Sequence, residues 1–382
     1  MCNNNSMEKI GIFGGTFNPV HVEHVNIVKS AIKELNLDLL YVVPTKTPPH
    51  KDVVPISAEH RFNMLKLALE NVDKVCVSDF EINSTDKSYS YLTVLHFRKK
   101  HPNAKLYLIM GLDMLADFKT WKNPNVIVEN ATIAAFNRKG FKLDFEKERQ
   151  FFKNNFNSDF ILNEYFGQEV SSTEIRISAN LNLKIPNVDK KVEEYIYANQ
   201  IYKGDYISEF LINNLTNKRL VHTVNVATAA VTKARETGLS ENKIILAALL
   251  HDCAKYLDYK NFKDFTLPPS VPEKVVHAFL GEHVARTVLK IEDEEVLDAI
   301  KYHTTAKPNI SLLGKLIFVA DMVEKDRNYQ GVEVLRELFK GDLETCFKEC
   351  LREEVIHLKN RGDNIYPLTL QANAYYNGQK GE

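Results

Sequence analysis

Apolar positions in the first half of the chain fall into short runs separated by stretches of helical period. Lys9 to Phe13 is apolar and ends at Gly14-Gly15. Val22 to Leu35 repeats at helical spacing, and Leu39 to Val43 is a continuous apolar run stopped by Pro44. Ser57 to Leu69 reads as a helix with Ser57 as its N-cap. Val75 to Phe80, Leu106 to Met110 and Ile133 to Phe136 read as strands, and Tyr89 to Lys99 as a helix. This alternation predicts βαβ units: an α/β domain with a Rossmann-like, doubly wound parallel sheet. Ligands in such sheets bind at the C-terminal ends of the strands.

The pattern changes near Asp205. Leu220 to Arg235, Glu241 to Tyr256, Pro272 to Leu289, Glu294 to Tyr302 and Ser311 to Val323 all carry helical periodicity, punctuated at Pro268-Pro269 and Lys307-Pro308. An all-α domain is therefore expected after the α/β one. The junction is expected within Asn199 to Asp205, which contains Gly204, giving domains of residues 1–203 and 204–382.

A chain of 382 residues exceeds one comfortable core, which supports two domains. The formal net charge of -1 gives no global pull toward nucleic acid or an anionic membrane. The opening residues lack the layout of a signal peptide, and the compact apolar run Ile244 to Leu250 is too short to span a bilayer. The five cysteines form no CxxC pair, so neither a disulfide framework nor a thiol zinc site is signalled, and a reducing cytoplasm is expected.

The strongest local signal is Gly14-Gly15-Thr16-Phe17-Asn18-Pro19-Val20-His21-Val22-Glu23-His24. It follows a strand and opens a helix. Glycines there let backbone amides approach phosphate, and the helix N-terminus favours negative charge. His21 and His24, three apart, project from one face of the first turn. Two such donors can hold a triphosphate and stabilise charge on phosphorus during displacement.

These residues resemble the nucleotidyltransferase superfamily with the HxGH motif, and more closely the bacterial nicotinate-nucleotide adenylyltransferases, over about residues 8 to 202. Val170-Ser171-Ser172-Thr173-Glu174-Ile175-Arg176 is similar to the second signature of that family, which implies that Ser172, Thr173 and Arg176 meet the ATP phosphates. His50 and Lys51 match a loop beside the mononucleotide. Tyr89 and Thr93 match the segment that receives the nicotinate carboxylate. Gly111 and Asp113 match a substrate-contacting strand end, and Trp121 matches a ring stacked on pyridine. A core aromatic is the plainer reading of Trp121. The resemblance implies adenylyl transfer from ATP, with Mg²⁺ on the triphosphate, to nicotinate mononucleotide, with His21 and His24 catalytic. Asn18 stands where the family usually has Asp, and Glu23 replaces a usual Gly. A carboxylate beside triphosphate is unfavourable unless it points to solvent.

The second half holds His222, the pair His251-Asp252, His277, His303 and Asp321. A His-Asp pair closing an apolar helix leaves a costly carboxylate unless a cation meets it. Imidazole and carboxylate together suit Fe, Mn, Zn or Co. The ordered set H…HD…H…H…D resembles the HD-domain phosphohydrolases. The segments 251–255, 277–281 and 299–305 resemble their bacterial symmetrical diadenosine tetraphosphatases, over about residues 205 to 375. The resemblance implies two divalent metals, with iron or manganese expected. His222, His251, Asp252 and Asp321 would hold one. His277 and His303 would hold the second, with Asp252 bridging and catalytic. Lys255 and Arg327 are candidate phosphate contacts, with surface solvation an equal alternative. His283, His101 and His96 read as structural. A dinucleoside polyphosphate substrate is implied. Two alternatives stay open: a regulatory nucleotide-binding module, or hydrolysis of another nucleotide.

Overall fold

The computed structural model describes residues 7–46, 56–85, 87–138, 143–168 and 170–378. Two compact units divide the chain. One comprises Met1–Arg176 and Ile185–Tyr202, the other Ile177–Lys184 and Lys203–Glu382. The second unit thus takes residues 177–184 in addition to the segment after the junction expected from sequence.

The first unit alternates strand and helix: β1 (Lys9–Gly15), α1 (Val22–Glu34), β2 (Leu39–Pro44), α2 (Ala58–Leu69), β3 (Val75–Val77), α3 (Phe80–Asn83), α4 (Ser90–Lys100), β4 (Lys105–Gly111), α5 (Leu112–Ala116), α6 (Pro124–Asn130), β5 (Thr132–Arg138), α7 (Phe145–Phe156), β6 (Phe160–Gly167), α8 (Ser172–Asn180) and α9 (Lys190–Ala198). The strands form a parallel six-stranded sheet in the order β3-β2-β1-β4-β5-β6. That is the doubly wound arrangement expected from the apolar runs. Order reverses between β1 and β4, so the loop after β1 opens at a topological switch point. Ile10, Ile12, Leu106, Leu108, Ile133 and Phe152 are buried in the core of this unit. Ser57 caps α2 by accepting from the His60 N–H. The segment Val75 to Phe80 is shorter as a strand than its sequence suggests. It ends at Val77, and Phe80 already begins α3, because Ser78 and Asp79 turn the chain.

The second unit is helical: α10 (Tyr206–Asn214), α11 (Asn217–Val231), α12 (Ala234–Thr237), α13 (Glu241–Leu250), α14 (Val276–Thr287), α15 (Glu294–Tyr302), α16 (Leu312–Val323), α17 (Val332–Lys340), α18 (Leu343–Asn360) and α19 (Pro367–Asn377). Val226, Ala247, Leu280, Ile300, Ile317, Phe347 and Ala372 share one core, which also takes in Ile177 and Leu181 from α8 and the turn after it. Gly204 permits a close approach within this unit, since a Cβ there would meet Ser208 Cβ at 2.4 Å and the Asn180 carbonyl at 2.5 Å. The helix read as Glu241 to Tyr256 ends at Leu250, and turns carry the chain onward from His251. Among the described residues, no helix is long and apolar enough to cross a membrane.

Candidate functional site

In the first unit, β1 delivers Gly14 and Gly15 to the switch point, and α1 starts seven residues later, at Val22. His21 is the N-cap of α1 in extended conformation, and His24 lies in its first turn. Their rings stack with centroids 3.7 Å apart, and His24 Nδ1 accepts from the His21 N–H at 3.2 Å. Phe17 turns inward in the left-handed region (φ 48°), with its ring edge-on to His24 at 4.9 Å. Phe17 is therefore packing beneath the histidines and is not open to substrate, being buried at 2% exposure. Gly15 leaves room for that ring, since a Cβ would meet it at 2.9 Å. A Cβ on Gly14 would meet nothing within 4 Å among the described residues, so this glycine borders open space.

The second motif opens α8. Ser171 Oγ accepts from the Glu174 N–H, making Ser171 the cap ahead of Ser172. Arg176 donates to Thr173 Oγ1 at 2.9 Å and to the Asn18 carbonyl at 3.0 Å. The guanidinium thus joins the two motifs through the backbone of the first. Tyr202 donates to Asn18 Oδ1, and burial pushes the Tyr202 phenol above its ordinary value.

Asp113 is exposed beyond β4, and Gly111 accommodates it, since a Cβ there would lie 2.5 Å from Asp113 Oδ1. Tyr89 is the N-cap of α4 and carries Lys122 Nζ over its ring at 4.5 Å. Trp121 is half-buried against Phe118, with centroids 5.3 Å apart. Thr93 differs from the expectation. It is 3% exposed, and its hydroxyl donates to the buried Glu81 carboxylate, so that hydrogen is committed inside the protein. Burial raises the Glu81 carboxyl, against the hydroxyls of Thr93 and Ser88 and the charge of Arg61. His50 and Lys51 lie outside the described residues.

Sequence reading missed Arg61, which is 0% exposed on α2. It donates to the Thr16 carbonyl at 2.7 Å and the Lys46 carbonyl at 3.1 Å, tying the loops after β1 and β2 together. The available signal was a charged residue beside the buried stripe Met64, Leu65 and Leu69.

In the second unit, the helices bring the expected ligands together. Asp252 is 2% exposed, and its two oxygens face different partners. Oδ1 lies 3.0 Å from His277 Nε2 and 3.5 Å from His303 Nε2. Oδ2 lies 3.5 Å from His251 Nε2 and 4.0 Å from His222 Nε2. Asp321 Oδ1 is 2.9 Å from His222 Nε2 and 4.0 Å from His251 Nε2. His222, read from sequence as beginning a helix, sits in the second turn of α11, and His303, read as lying on a helix, is the C-cap of α15.

The orientation of the rings is set from behind. His251 Nδ1 faces the Ala248 carbonyl at 2.6 Å, and His303 Nδ1 faces the Ile300 carbonyl at 2.7 Å. Those acceptors hold a proton on Nδ1 and leave the Nε2 lone pairs pointing at Asp252. Burial lowers the His277 imidazole to about 4, against the pull of Asp252. Burial also lowers His251. Burial alone would raise Asp252, but His251 and the other imidazoles hold it well below the usual carboxylate range. Neutral imidazoles around ionised carboxylates are the state that binds a cation. Two overlapping ligand groups have atoms within 4.8 Å of one another: His222, His251 and Asp321, and His251, Asp252 and His303. The Asp252 Oδ1 atom is buried and accepts no well-directed hydrogen bond among the described residues. The donor set fits divalent metal.

Positive groups border this cluster. Lys255 Nζ lies 3.0 Å from His277 Nε2 and 3.5 Å from Asp252 Oδ1. Arg327 donates from Nε to the Asp321 carbonyl and from Nη2 to the Asp321 carboxylate. Arg219, not singled out from sequence, reaches Asp252 Oδ2 at 2.7 Å. It precedes His222 by three positions, which was its available signal. Glu324 was also missed, three positions after Asp321, and it backs His222 Nδ1 at 3.1 Å. His283 packs against Phe262 and Phe265, His96 stacks on Phe80, and His101 pairs with Tyr41 and Glu8.

Comparison with known proteins follows the same division. A cytidylyltransferase-like family model matches residues 12–177, and an HD-domain model matches residues 219–326. A probable nicotinate-nucleotide adenylyltransferase of Clostridium tetani is 42% identical over 174 residues, covering 44% of this chain and 86% of that protein. A Mycoplasma genitalium protein described as a probable nicotinate-nucleotide adenylyltransferase/Ap4A hydrolase is 28% identical over 354 residues, covering 89% of this chain and 96% of that protein. A crystal structure of a predicted HD superfamily hydrolase involved in NAD metabolism, from Clostridium acetobutylicum, is 32% identical. It covers 46% of this chain and 96% of that one at a TM-score of 0.43. Through its α/β unit, the chain belongs to the nicotinate-nucleotide adenylyltransferase family, and it carries an HD domain after that unit.

Proposed function

We propose that the chain is a bifunctional enzyme. Its α/β unit makes nicotinate adenine dinucleotide and pyrophosphate from ATP and nicotinate mononucleotide. Its HD domain hydrolyses diadenosine tetraphosphate to two molecules of ADP.

The first reading is carried by Arg176 on the Asn18 carbonyl, which brings the second motif onto the loop of the first. In this reading a mononucleotide phosphate oxygen attacks the ATP α-phosphorus, and pyrophosphate leaves with the electron pair of the broken P–O bond. The nucleophile is already an anion, so the chain need only position groups and stabilise charge. His21 and His24 do this at the α-phosphate, and Ser172, Thr173 and Arg176 hold the outer phosphates. Asp113, Tyr89 and Trp121 orient the mononucleotide. Mg²⁺ enters with ATP.

The second reading is carried by the divided Asp252 carboxylate, one oxygen toward each half of the ligand set. His222, His251, Asp321 and Asp252 would hold one divalent metal, and His277, His303 and Asp252 the other; the donors suit Fe, Mn, Zn or Co, of which the family resemblance favours iron or manganese. When bound, such a pair supplies Lewis-acid polarisation and lowers the pKa of water. Lys255, Arg327 and Arg219 would take non-bridging phosphate oxygens, and Asp252 and Asp321 keep the site anionic enough to retain cations. Water adds to an inner phosphorus, and the central bridging oxygen leaves with the other ADP.

Nucleotide chromatography of the full-length protein tests both. With ATP, Mg²⁺ and nicotinate mononucleotide, nicotinate adenine dinucleotide is expected; its absence overturns the first reading. With diadenosine tetraphosphate and added manganese or iron, ADP alone is expected. Equal ATP and AMP would overturn the symmetrical assignment, and no cleavage would overturn diadenosine tetraphosphate as the substrate.

A further inference from the structure

One of the two residues between the motif histidines is a carboxylate, and it does not point to solvent. Glu23 lies in the first turn of α1 at 6% exposure. Its Oε1 accepts from Asn26 Nδ2 at 3.0 Å, and its Oε2 accepts from the Tyr165 hydroxyl at 3.1 Å. Tyr165 and Gly167 lie two apart in β6, where its pairing with β5 is irregular, and a Cβ on Gly167 would lie 3.1 Å from Tyr165 Cε1. A Cβ on Gly167 would lie 2.3 Å from Glu23 Oε2. The carboxylate therefore occupies a notch that exists only because residue 167 has no side chain.

The location of the notch gives it a role. Glu23 immediately precedes His24 on α1. Gly167 ends β6, which leads within five residues to Ser172 at the start of α8. The contact joins the element that carries the histidine pair to the strand that delivers the Ser172, Thr173 and Arg176 group. A buried carboxylate without partners would be costly, so the Asn26 and Tyr165 donors are what make it tolerable there. The helix N-terminus adds a favourable field for negative charge.

We infer that Glu23 is a positioning residue that interlocks α1 with β6 and sets the spacing between the His21–His24 pair and the Thr173–Arg176 group. This rests on the adenylyl-transfer reading. If that spacing receives the triphosphate, its error falls on ATP and not on the mononucleotide. Displacements near 1 Å at such a site cost on the order of a hundredfold in rate.

The test uses the full-length protein and the variants Glu23→Gly, Gly167→Ala, Tyr165→Phe and the double variant Glu23→Gly/Gly167→Ala. Steady-state synthesis separates kcat and the KM of each substrate, and thermal unfolding is read alongside. Gly167→Ala should lower kcat/KM for ATP about tenfold or more, with the KM for nicotinate mononucleotide unchanged. The same alanine introduced into the Glu23→Gly background should cost far less, because the carboxylate is gone and only Tyr165 Cε1, 3.1 Å from the new Cβ, has to give. Additive losses in the double variant would overturn the interlock, as would a fall in Tm with unaltered kinetics. If Gly167→Ala fails to fold, Tyr165→Phe with Glu23→Gly/Tyr165→Phe reads the same coupling. If the wild type forms no dinucleotide, the adenylyl-transfer reading fails by itself. Calorimetric ATP binding by the same variants then decides the interlock, with non-additive losses expected and additive ones overturning it.

Discussion

His222 faces two carboxylates at once, with Nε2 2.9 Å from Asp321 Oδ1 and Nδ1 3.1 Å from Glu324 Oε1. Glu324 is itself fixed by Asn225 Nδ2 at 3.0 Å and by the Asp326 N–H at 2.7 Å. His251 and His303 are backed by neutral carbonyls, whereas His222 is backed by an anion. An anionic partner holds the proton on Nδ1 and makes Nε2 a stronger donor. Glu324→Gln should weaken metal binding about 10- to 100-fold with little change in fold. Competition with a chelator, followed by metal analysis, checks it; unaltered retention would reduce Glu324 to a packing residue.

The two reactions should separate by mutation. His21→Ala or His24→Ala should abolish dinucleotide synthesis and leave phosphohydrolysis intact. His251→Ala or Asp252→Ala should remove metal and hydrolysis, while synthesis continues with added Mg²⁺. Parallel assays on each folded variant decide this. Equal loss of both activities in any of the four contradicts independent sites.

Glu81 gives a pH dependence with a definite sign. Burial raises its carboxyl in the folded protein, so the native state holds that proton more tightly than the unfolded chain. Its contribution is most favourable below the unfolded value. It declines as pH rises through the raised native value, and is level above that. Glu81→Gln mimics the protonated form and should unfold at a higher temperature than wild type at pH 8. The gap should narrow as pH falls toward 5. A gap that is constant across this range would show that the carboxyl is not raised.

Arg61→Met should destabilise the α/β unit by about 1–3 kcal/mol, because the part-buried hydrogen bonds to the Thr16 and Lys46 carbonyls are lost together with a fully buried donor. Denaturant unfolding measures it. Arg61→Lys should recover only part, since one ammonium cannot reproduce a forked donor. A loss below about 0.5 kcal/mol for the methionine variant would mean that water replaces the guanidinium.

The parallel sheet was legible because β1, β2, β4 and β5 are buried on both faces and leave continuous apolar runs. β6 was not, since Asn163, Tyr165 and Gly167 interrupt its pattern. The same interruption makes the Glu23 notch. The metal ligands were legible as a set because their residue types recur in one order along the chain. Their supports Arg219 and Glu324 each lie three positions from a ligand, but which group each of them and Asn225 meets is set only when the helices pack together. Thr93 was placed on the right helix, but a motif match does not tell which way a side chain faces, and Glu81 claims its hydroxyl.

Helix α8 begins with Ser172 and Thr173 in the first unit and ends with Ile177 to Asn180 counted in the second, where Ile177 and Leu181 are core residues. A cut between residues 203 and 204 would therefore separate residues 177–184 from the core that Ile177 and Leu181 fill. The piece bearing the HD domain would lack apolar side chains that its own interior is built around. The other piece would end with Ile177 and Leu181 stripped of the core they fill. Dividing the helix instead would detach the second phosphate motif from the turns that follow it. The boundary is thus not a point between residues 203 and 204 but an interleaved stretch, in which the chain enters the second unit at Ile177, returns to the first at Ile185 and leaves it again after Tyr202.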